Sequence, residues 1–370
     1  MSVSLLIAGG GTGGHLFPGI AVARELMARV PGAMVTFVGT ATGIEARVIP
    51  REGLTLETIR SAGLKGKSPV ALLRGLSLIP LSALDAWQVI SRRRPSVVIG
   101  VGGYSSGPVV AMAALRGVPT LLMEQNATPG LTNRLLSRMV RTAAVTYDES
   151  IATFGNKAFV AGNPVRPEFF APGGAEPAAG GHTRVLVFGG SQGAHAINVA
   201  MAEAARALAA MSPGVDVTHQ TGERDLSMVR EAYTAAGLVA RVEPFLYEMD
   251  REMRAADVIV CRAGATTLAE LTAAGRPAIL IPLPTATDDH QRKNANALVR
   301  QGAARMVDQK ELTGARLAEE LLALARDGGA RERMAAAAKG MARPDAARVI
   351  VDKVLALAGH GQPPARRAGN

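Results

Sequence analysis

A short apolar run, a glycine-rich loop and a helix-like segment follow one another twice in this chain, and that recurrence restricts its fold more than any other feature. In the first copy Val3–Ala8 leads into Gly9-Gly-Gly-Thr-Gly-Gly-His15 and then a helix over about Leu16–Val30, with Pro18 expected in the first turn. In the second, Arg184–Phe188 leads into Gly189-Gly-Ser-Gln-Gly193 and an alanine-rich helix over Ala194–Ala210. Short, wholly apolar runs bounded by turn residues read as strands buried on both faces, and such strands belong to parallel sheets with helical crossovers. Met34–Val38, Val97–Ile99, Thr120–Met123, Thr142–Val145 and Ala158–Val160 continue the first copy. Val215–His219, Val258–Cys261 and Ala278–Ile281 continue the second. The chain therefore reads as two α/β parallel-sheet domains in tandem, and its 370 residues suffice for two cores.

Between the copies lies Ala171-Pro-Gly-Gly-Ala-Glu-Pro-Ala-Ala-Gly-Gly181, with the composition of a flexible linker. The expected divisions are a first domain over 1–163, a hinge over 164–183 and a second domain over 184–343. A C-terminal helix over 344–358, expected to pack back on the first domain, precedes a flexible tail over 359–370.

Several classes of function are disfavoured. The single cysteine, Cys261, ends an apolar run, so it reads as a buried small side chain in a reducing compartment; neither a disulfide nor zinc spacing is available. The N-terminus passes directly from Met1 into the first strand without a basic leader, and no run of about 18 apolar residues suggests a membrane span. The net charge is +10, and residues 60–94 hold seven basic side chains against one acid, Asp85. Such a patch attracts anionic lipid or nucleic acid. Only Trp87 among the stacking aromatics lies in it, so no nucleic-acid partner is expected.

The chemistry gathers at the glycine loops. Glycines between strand and helix let a ligand approach the backbone closely, and the helix N-terminus behind them favours negative charge. A dinucleotide site would also want an acid at the end of the second strand. Here that strand runs into Gly39-Thr-Ala-Thr-Gly43 and the first acid is Glu45, so NAD is disfavoured. His15, at the edge of the first loop, stands where a general base would. Tyr104, Ser105 and Ser106 place hydroxyls after the strand at Val97–Ile99, and Glu124-Gln-Asn126 follows the next strand; the plain alternative there is a turn with Asn126 as helix cap. Arg166 closes the first domain, in reach of a phosphate. In the second domain, Gly189–Gly193 can cradle phosphate with Ser191 as donor. Thr266 or Thr267 can cap the helix after Cys261, which would put Glu270 in its first turn, either as a helix-dipole acid or as a carboxylate for ribose hydroxyls. Thr287–Gln291 opens a further helix with side chains suited to sugar hydroxyls. No Asp-x-Asp pair is present, so no metal site of that type is expected to hold a diphosphate.

In order along the chain, Gly10-Gly-Thr-Gly-Gly-His15, Gly102-Gly-Tyr-Ser-Ser-Gly-Pro108, Glu124-Gln-Asn126, Gly162-Asn-Pro-Val-Arg166, Gly189-Gly-Ser-Gln-Gly193 and His290-Gln291 resemble the MurG family, over nearly the whole length. The resemblance implies a GT-B fold, two Rossmann-like parallel-sheet domains facing across a cleft. It implies inverting transfer of GlcNAc from UDP-GlcNAc to the C4 hydroxyl of MurNAc in undecaprenyl-linked lipid I, giving lipid II for peptidoglycan. Carried onto matching positions, Thr12, Gly13, Gly14 and Asn126 would approach the donor sugar and diphosphate, and Arg166 and Ser191 the nucleotide or its phosphates. Leu246 would meet uracil through its backbone. Ala265, Thr266, Thr267, Leu268, Ala269 and Glu270 would line the nucleotide pocket, with Glu270 on ribose, and Gln291 would bind GlcNAc. Tyr104, Ser105, Ser106, Glu124 and Gln125 would belong to the acceptor loops, and His15 would be the base. No cofactor or metal is implied. Two departures are Ala263, where the family usually has serine, and the small Ser105.

The resemblance also implies a peripheral enzyme at the cytoplasmic face of the cell membrane, working among other cell-wall synthesis proteins. The stretch over 60–94, with leucines between Pro69 and Leu84, Trp87 and flanking arginines, suits an anionic membrane surface; the alternative is a core-facing helix bent at Pro80. Rival functions on this fold are glycolipid synthesis on diacylglycerol, UDP-GlcNAc 2-epimerisation, and nucleotide sensing without catalysis.

Overall fold

The apolar runs form buried strands, and the helices between them return the chain so that the strands within each sheet are parallel. A computed structural model describes residues 3–61, 69–171, 181–190 and 192–359, without the side chains of 69–77. Lys65, Lys67, Ser191, most of the linker, the tail from residue 360 and the side chain of Arg74 lie outside the described residues. The chain divides into two compact units: one runs to Val165 and takes in Asp345 onward, and the other runs from Arg166 to Pro344.

The first unit alternates β1 (Ser4–Gly9), α1 (Gly13–Arg29), β2 (Met34–Gly39), α2 (Glu45–Arg51), β3 (Thr55–Thr58), α3 (Pro69–Arg93), β4 (Val97–Gly102), α4 (Ser106–Leu115), β5 (Thr120–Glu124), α5 (Leu131–Leu136), β6 (Thr142–Val145), α6 (Ile151–Phe154) and β7 (Ala158–Val160). Its seven parallel strands are ordered β3-β2-β1-β4-β5-β6-β7, so the direction of winding reverses between β1 and β4. Successive side chains of β1 serve opposite faces. Leu5 and Ile7 cluster with Leu16, Val22 and Leu26 of α1, while Leu6 and Ala8 cluster with Ala86, Val89 and Ile90 of α3 and Val109, Val110 and Ala113 of α4.

The second unit runs β8 (Thr183–Phe188), α7 (His195–Ala209), β9 (Val215–Gln220), α8 (Leu226–Ala236), β10 (Ala240–Glu243), α9 (Met249–Ala255), β11 (Val258–Cys261), α10 (Ala265–Ala274), β12 (Ala278–Leu280), α11 (His290–Arg300), β13 (Ala304–Met306), α12 (Gly314–Arg326) and α13 (Gly328–Met341). Six parallel strands lie in the order β10-β9-β8-β11-β12-β13, with the reversal between β8 and β11. Residues 167–170 form a 3-10 turn in this unit, with Phe169 buried and the turn packed on α9 and α10. The last helix, α14 (Ala346–Leu357), lies against α1 of the first unit: Ile350, Val351 and Val354 are fully buried in its core, and Arg29 binds Asp352 at 2.6 Å.

The structure departs from the sequence reading in local ways. Three strands that the apolar pattern does not reveal, β3, β10 and β13, are all sheet edges, where one side faces solvent and charged residues are tolerated. The helix α1 begins at Gly13 and not near Leu16, so Pro18 sits in its second turn. The helix α3 runs from Pro69 to Arg93 with Pro80 inside it. The basic stretch is also more neutralised than its sequence suggests. Arg60 pairs with Asp85, and Arg92 and Arg93 share Glu57, an acid lying just before the stretch. Among the described residues no helix is long and apolar enough to cross a membrane.

Candidate active site

In each unit the loops flanking the winding reversal gather at the carboxyl edge of the sheet, the place where open α/β sheets bind ligands. In the first unit the loop from β1 to α1 lies directly against the loop from β4 to α4. A side-chain carbon on Gly103 would sit 2.5 Å from the Gly10 carbonyl oxygen, and one on Gly102 would sit 2.8 Å from His15 Nδ1. Both residues also have positive φ, 80° and 98°, so only glycine permits this approach. His15, the third residue of α1, is half-buried with its ring against Gly102. Its Nδ1 lies 3.1 Å from Gln125 Oε1, and Gln125 Nε2 donates to the Val101 carbonyl, also at 3.1 Å. Thr12 takes the cap position of α1 without a side-chain cap bond, and Gly13 and Gly14 form the first turn. The Tyr104 ring lies over Gly11.

Glu45, which the sequence pattern does not single out as a site residue, supports this arrangement. Its buried carboxylate accepts the Gly11 N–H at 2.9 Å, the Thr40 N–H at 2.8 Å and the Thr40 hydroxyl at 3.0 Å. Burial pushes its pKa up, but the hydrogen bonds from Gly11 and Thr40 outweigh this and hold it below the usual carboxylate value. It is thus a brace for the first glycine loop, and the only sequence hint is an acid soon after the glycine turn.

The expected acceptor loops carry most of their polar side chains inward. Ser105, Ser106, Glu124 and Gln125 are all buried. Glu124 Oε1 accepts from the Asn126 N–H at 3.0 Å and Asn126 Nδ2 at 3.2 Å; Oε2 accepts from the Gly130 N–H at 3.0 Å and Asn133 Nδ2 at 2.9 Å. Such a carboxylate shapes the loop from beneath. Gln125 is likewise spent on His15 and Val101. Tyr104 and Asn126, both half-buried, remain at the surface. Asn126 is no helix cap, since α5 starts at Leu131 behind Gly130.

In the second unit a further glutamine links two expected ligand loops. Gln220, the buried last residue of β9, donates through Nε2 to the Gly190 carbonyl at 2.7 Å and accepts the Leu246 N–H at 3.4 Å. The phosphate-type loop after β8 and the Pro244-Phe-Leu246 loop after β10 are therefore tied through one amide. The apolar pattern ends this strand at His219, one residue short of Gln220 at the carboxyl edge.

The helix α10 is capped by Gly264, not by Thr266 or Thr267, which with Ala265 form its first turn. Leu268 is buried, so its side chain serves the core, and Ala269 and Glu270 follow beyond the first turn. No acid lies in that turn, so Glu270 is not a capping-box or dipole residue. Its half-buried carboxyl is instead pushed up to about 7 by desolvation, and the Arg166 charge pulls the other way. Arg166 is exposed, its guanidinium 5.1 Å from the centre of the Phe169 ring. Gln291, in the first turn of α11, uses Oε1 to accept the Leu283 N–H at 3.0 Å, which leaves its amide NH2 as the group to offer. Cys261 is buried, and burial pushes its thiol well up, as a structural cysteine requires.

Residues 5–145 match the family model for the glycosyltransferase family 28 N-terminal domain, and residues 184–350 match the model for its C-terminal domain. With two parallel-sheet domains and glycine loops at each winding reversal, this is a glycosyltransferase of the GT-B type. Over 354 residues, 95% of this chain and 92% of the relative, it is 47% identical to the UDP-N-acetylglucosamine--N-acetylmuramyl-(pentapeptide) pyrophosphoryl-undecaprenol N-acetylglucosamine transferase of Anaeromyxobacter sp. (strain K). The crystal structure of MurG from Acinetobacter baumannii is similar at a TM-score of 0.80 and 30% identity, covering 96% of this chain and 99% of that one. The chain belongs to the MurG family. The UDP-GlcNAc 2-epimerase of Neisseria meningitidis is similar at a TM-score of 0.69 but 14% identity, over 96% of this chain and 100% of that one, a likeness of fold alone.

Proposed function

We propose that this enzyme transfers GlcNAc from UDP-GlcNAc to the C4 hydroxyl of MurNAc in undecaprenyl-pyrophosphoryl-MurNAc-pentapeptide, lipid I, and so makes lipid II with inversion at C1. The observation that carries this reading is 47% identity, across 95% of the chain and both units, to a transferase of that name. In the reaction the C4 oxygen attacks C1 and gives its proton to His15 Nε2. The bond from C1 to the diphosphate breaks, and UDP leaves with the electron pair. Arg166, the loop over Gly189–Gly193 with Ser191, and the first turn of α10 offset the charge on UDP. Glu270 accepts the ribose hydroxyls, Leu246 meets uracil through its backbone, and the Gln291 amide donates to GlcNAc oxygens. Thr12, Gly13, Gly14 and Asn126 stand on the sugar side, and Tyr104 faces the acceptor.

The enzyme works as a peripheral protein on the anionic cytoplasmic surface of the membrane. Support for this is exposed apolar side chains in the C-terminal half of α3, where Leu84 is 58% and Trp87 50% exposed, and on the neighbouring α4, where Leu115 is 68% exposed. The Arg116 guanidinium lies 4.4 Å over the Trp87 ring. Because Arg60, Arg92 and Arg93 are paired with acids, the apolar group should matter more than those arginines. The double variant Leu84→Asp, Trp87→Ala is expected to bind anionic vesicles at least tenfold more weakly, since each inserted apolar side chain contributes about 1.5–3 kcal/mol. Unchanged vesicle binding would remove this surface from the account.

Calorimetry with UDP-GlcNAc, followed by product analysis without acceptor, tests the donor reading. Binding with neither epimerisation nor rapid hydrolysis fits a transferase. Accumulation of the 2-epimer would replace it with the epimerase.

A further inference from the structure

We propose that Gln125 is a positioning residue whose buried amide holds His15 in the tautomer with hydrogen on Nδ1, leaving Nε2 as the ring's only base. This rests on the reading of His15 as the general base. The backbone carbonyl of Val101, next to last in β4, can only accept, so the group 3.1 Å from it must be the Gln125 NH2. A reversed amide would set two carbonyl oxygens against each other in a site that is closed to water, for Gln125 is only 2% exposed. Unmade bonds of that kind cost about 1–3 kcal/mol each. Gln125 Oε1 therefore faces His15 Nδ1 at 3.1 Å and can only accept. The hydrogen lies on Nδ1, and the lone pair of the neutral ring lies on Nε2.

The surroundings make this arrangement specific. The ring is held against Gly102. Gln125 directly follows β5, whose pairing with β4 fixes its place next to Val101. The carboxylates of the neighbouring elements are engaged elsewhere, Glu45 with Gly11 and Thr40, and Glu124 with Asn126, Gly130 and Asn133, while the Tyr104 ring lies over Gly11. Among the described residues none of them has a hydrogen bond to His15. A neutral amide fixes the tautomer without placing a negative charge beside the ring.

The test is nitrogen NMR of the full chain labelled at histidine, with the His15 signals assigned by their loss in His15→Ala. In the neutral ring Nδ1 should be protonated and Nε2 bare. In Gln125→Leu this preference should weaken, and kcat should fall at least about tenfold, towards a limit near 10⁴-fold for a catalytic histidine forced into the wrong tautomer. The Kd for UDP-GlcNAc, whose expected ligands lie mainly on the second unit, should not change. A protonated Nε2 in the wild-type neutral ring, which needs no variant to fold, would overturn the proposal, as would full kcat in Gln125→Leu. If the wild-type spectrum shows Nδ1–H but His15→Ala turns over normally, the tautomer assignment stands and the base reading fails.

Discussion

His15→Ala is expected to lower kcat by about 10²–10⁴-fold at saturating substrates, the range that a positioned general base supplies. Donor affinity should stay within about twofold, because one side chain on the first unit contributes little to holding UDP. The expectation comes from geometry. The ring sits at the winding reversal of the first sheet, against a glycine backbone, with one nitrogen engaged by Gln125. That leaves Nε2 available for proton transfer. Steady-state transfer kinetics paired with calorimetry separate the two effects. Wild-type kcat in the variant would mean that the acceptor proton leaves by another route.

Glu270→Gln should produce the second large effect, with a distinctive pH signature. The wild-type carboxyl titrates at about 7 because it is desolvated. Ribose hydroxyls are donors, so they bind the carboxylate better than the acid. Affinity for UDP-GlcNAc should therefore be about tenfold weaker at pH 6 than at pH 8, following the ionised fraction of a group with that pKa. The diphosphate diester of UDP-GlcNAc does not itself titrate in this range. Glu270→Gln should lose about 1.5–3 kcal/mol of binding, the value of hydrogen bonds to a charged acceptor, and should lose the pH dependence with it. Stability should move the opposite way. A carboxyl raised in the folded state favours folding less as pH rises from 4.5 to about 7, where the unfolded chain releases its proton first. The glutamine variant should thus be more stable than wild type at pH 8, by up to about 3 kcal/mol. A carboxylate retained against that cost fits a binding group better than a structural one. A variant that binds normally and keeps the same pH slope would remove Glu270 from the ribose.

The strands of the sheet centres were legible because burial on both faces leaves an unbroken apolar run: β4, β5, β6 and β8 are almost wholly buried. The edges were not. Thr55–Thr58, Ala240–Glu243 and Ala304–Met306 mix charged or polar residues with apolar ones, since most of their residues are only partly buried or exposed. The glycine loops were legible as ligand loops, because few other roles need that many glycines between strand and helix. What sequence could not show was direction. Ser105, Ser106, Glu124 and Gln125 sit among exposed-looking polar residues, yet they point beneath the loops. Whether a polar side chain meets ligand or braces backbone depends on contacts distant in sequence, such as the 34 positions between Gly11 and Glu45 and the 110 between His15 and Gln125. The cap of α10 was misplaced for a related reason. Threonines are good caps, but the chain leaves β11 through Gly264, and the helix begins before either threonine is reached.

The most direct test of the central claim is transfer of labelled GlcNAc from UDP-GlcNAc to a lipid I analogue, run beside a diacylglycerol acceptor. The account predicts label in a lipid II-like disaccharide, β-linked to C4 of MurNAc, and none in diacylglycerol. Label in diacylglycerol, or no transfer to lipid I by protein that binds UDP, would contradict it.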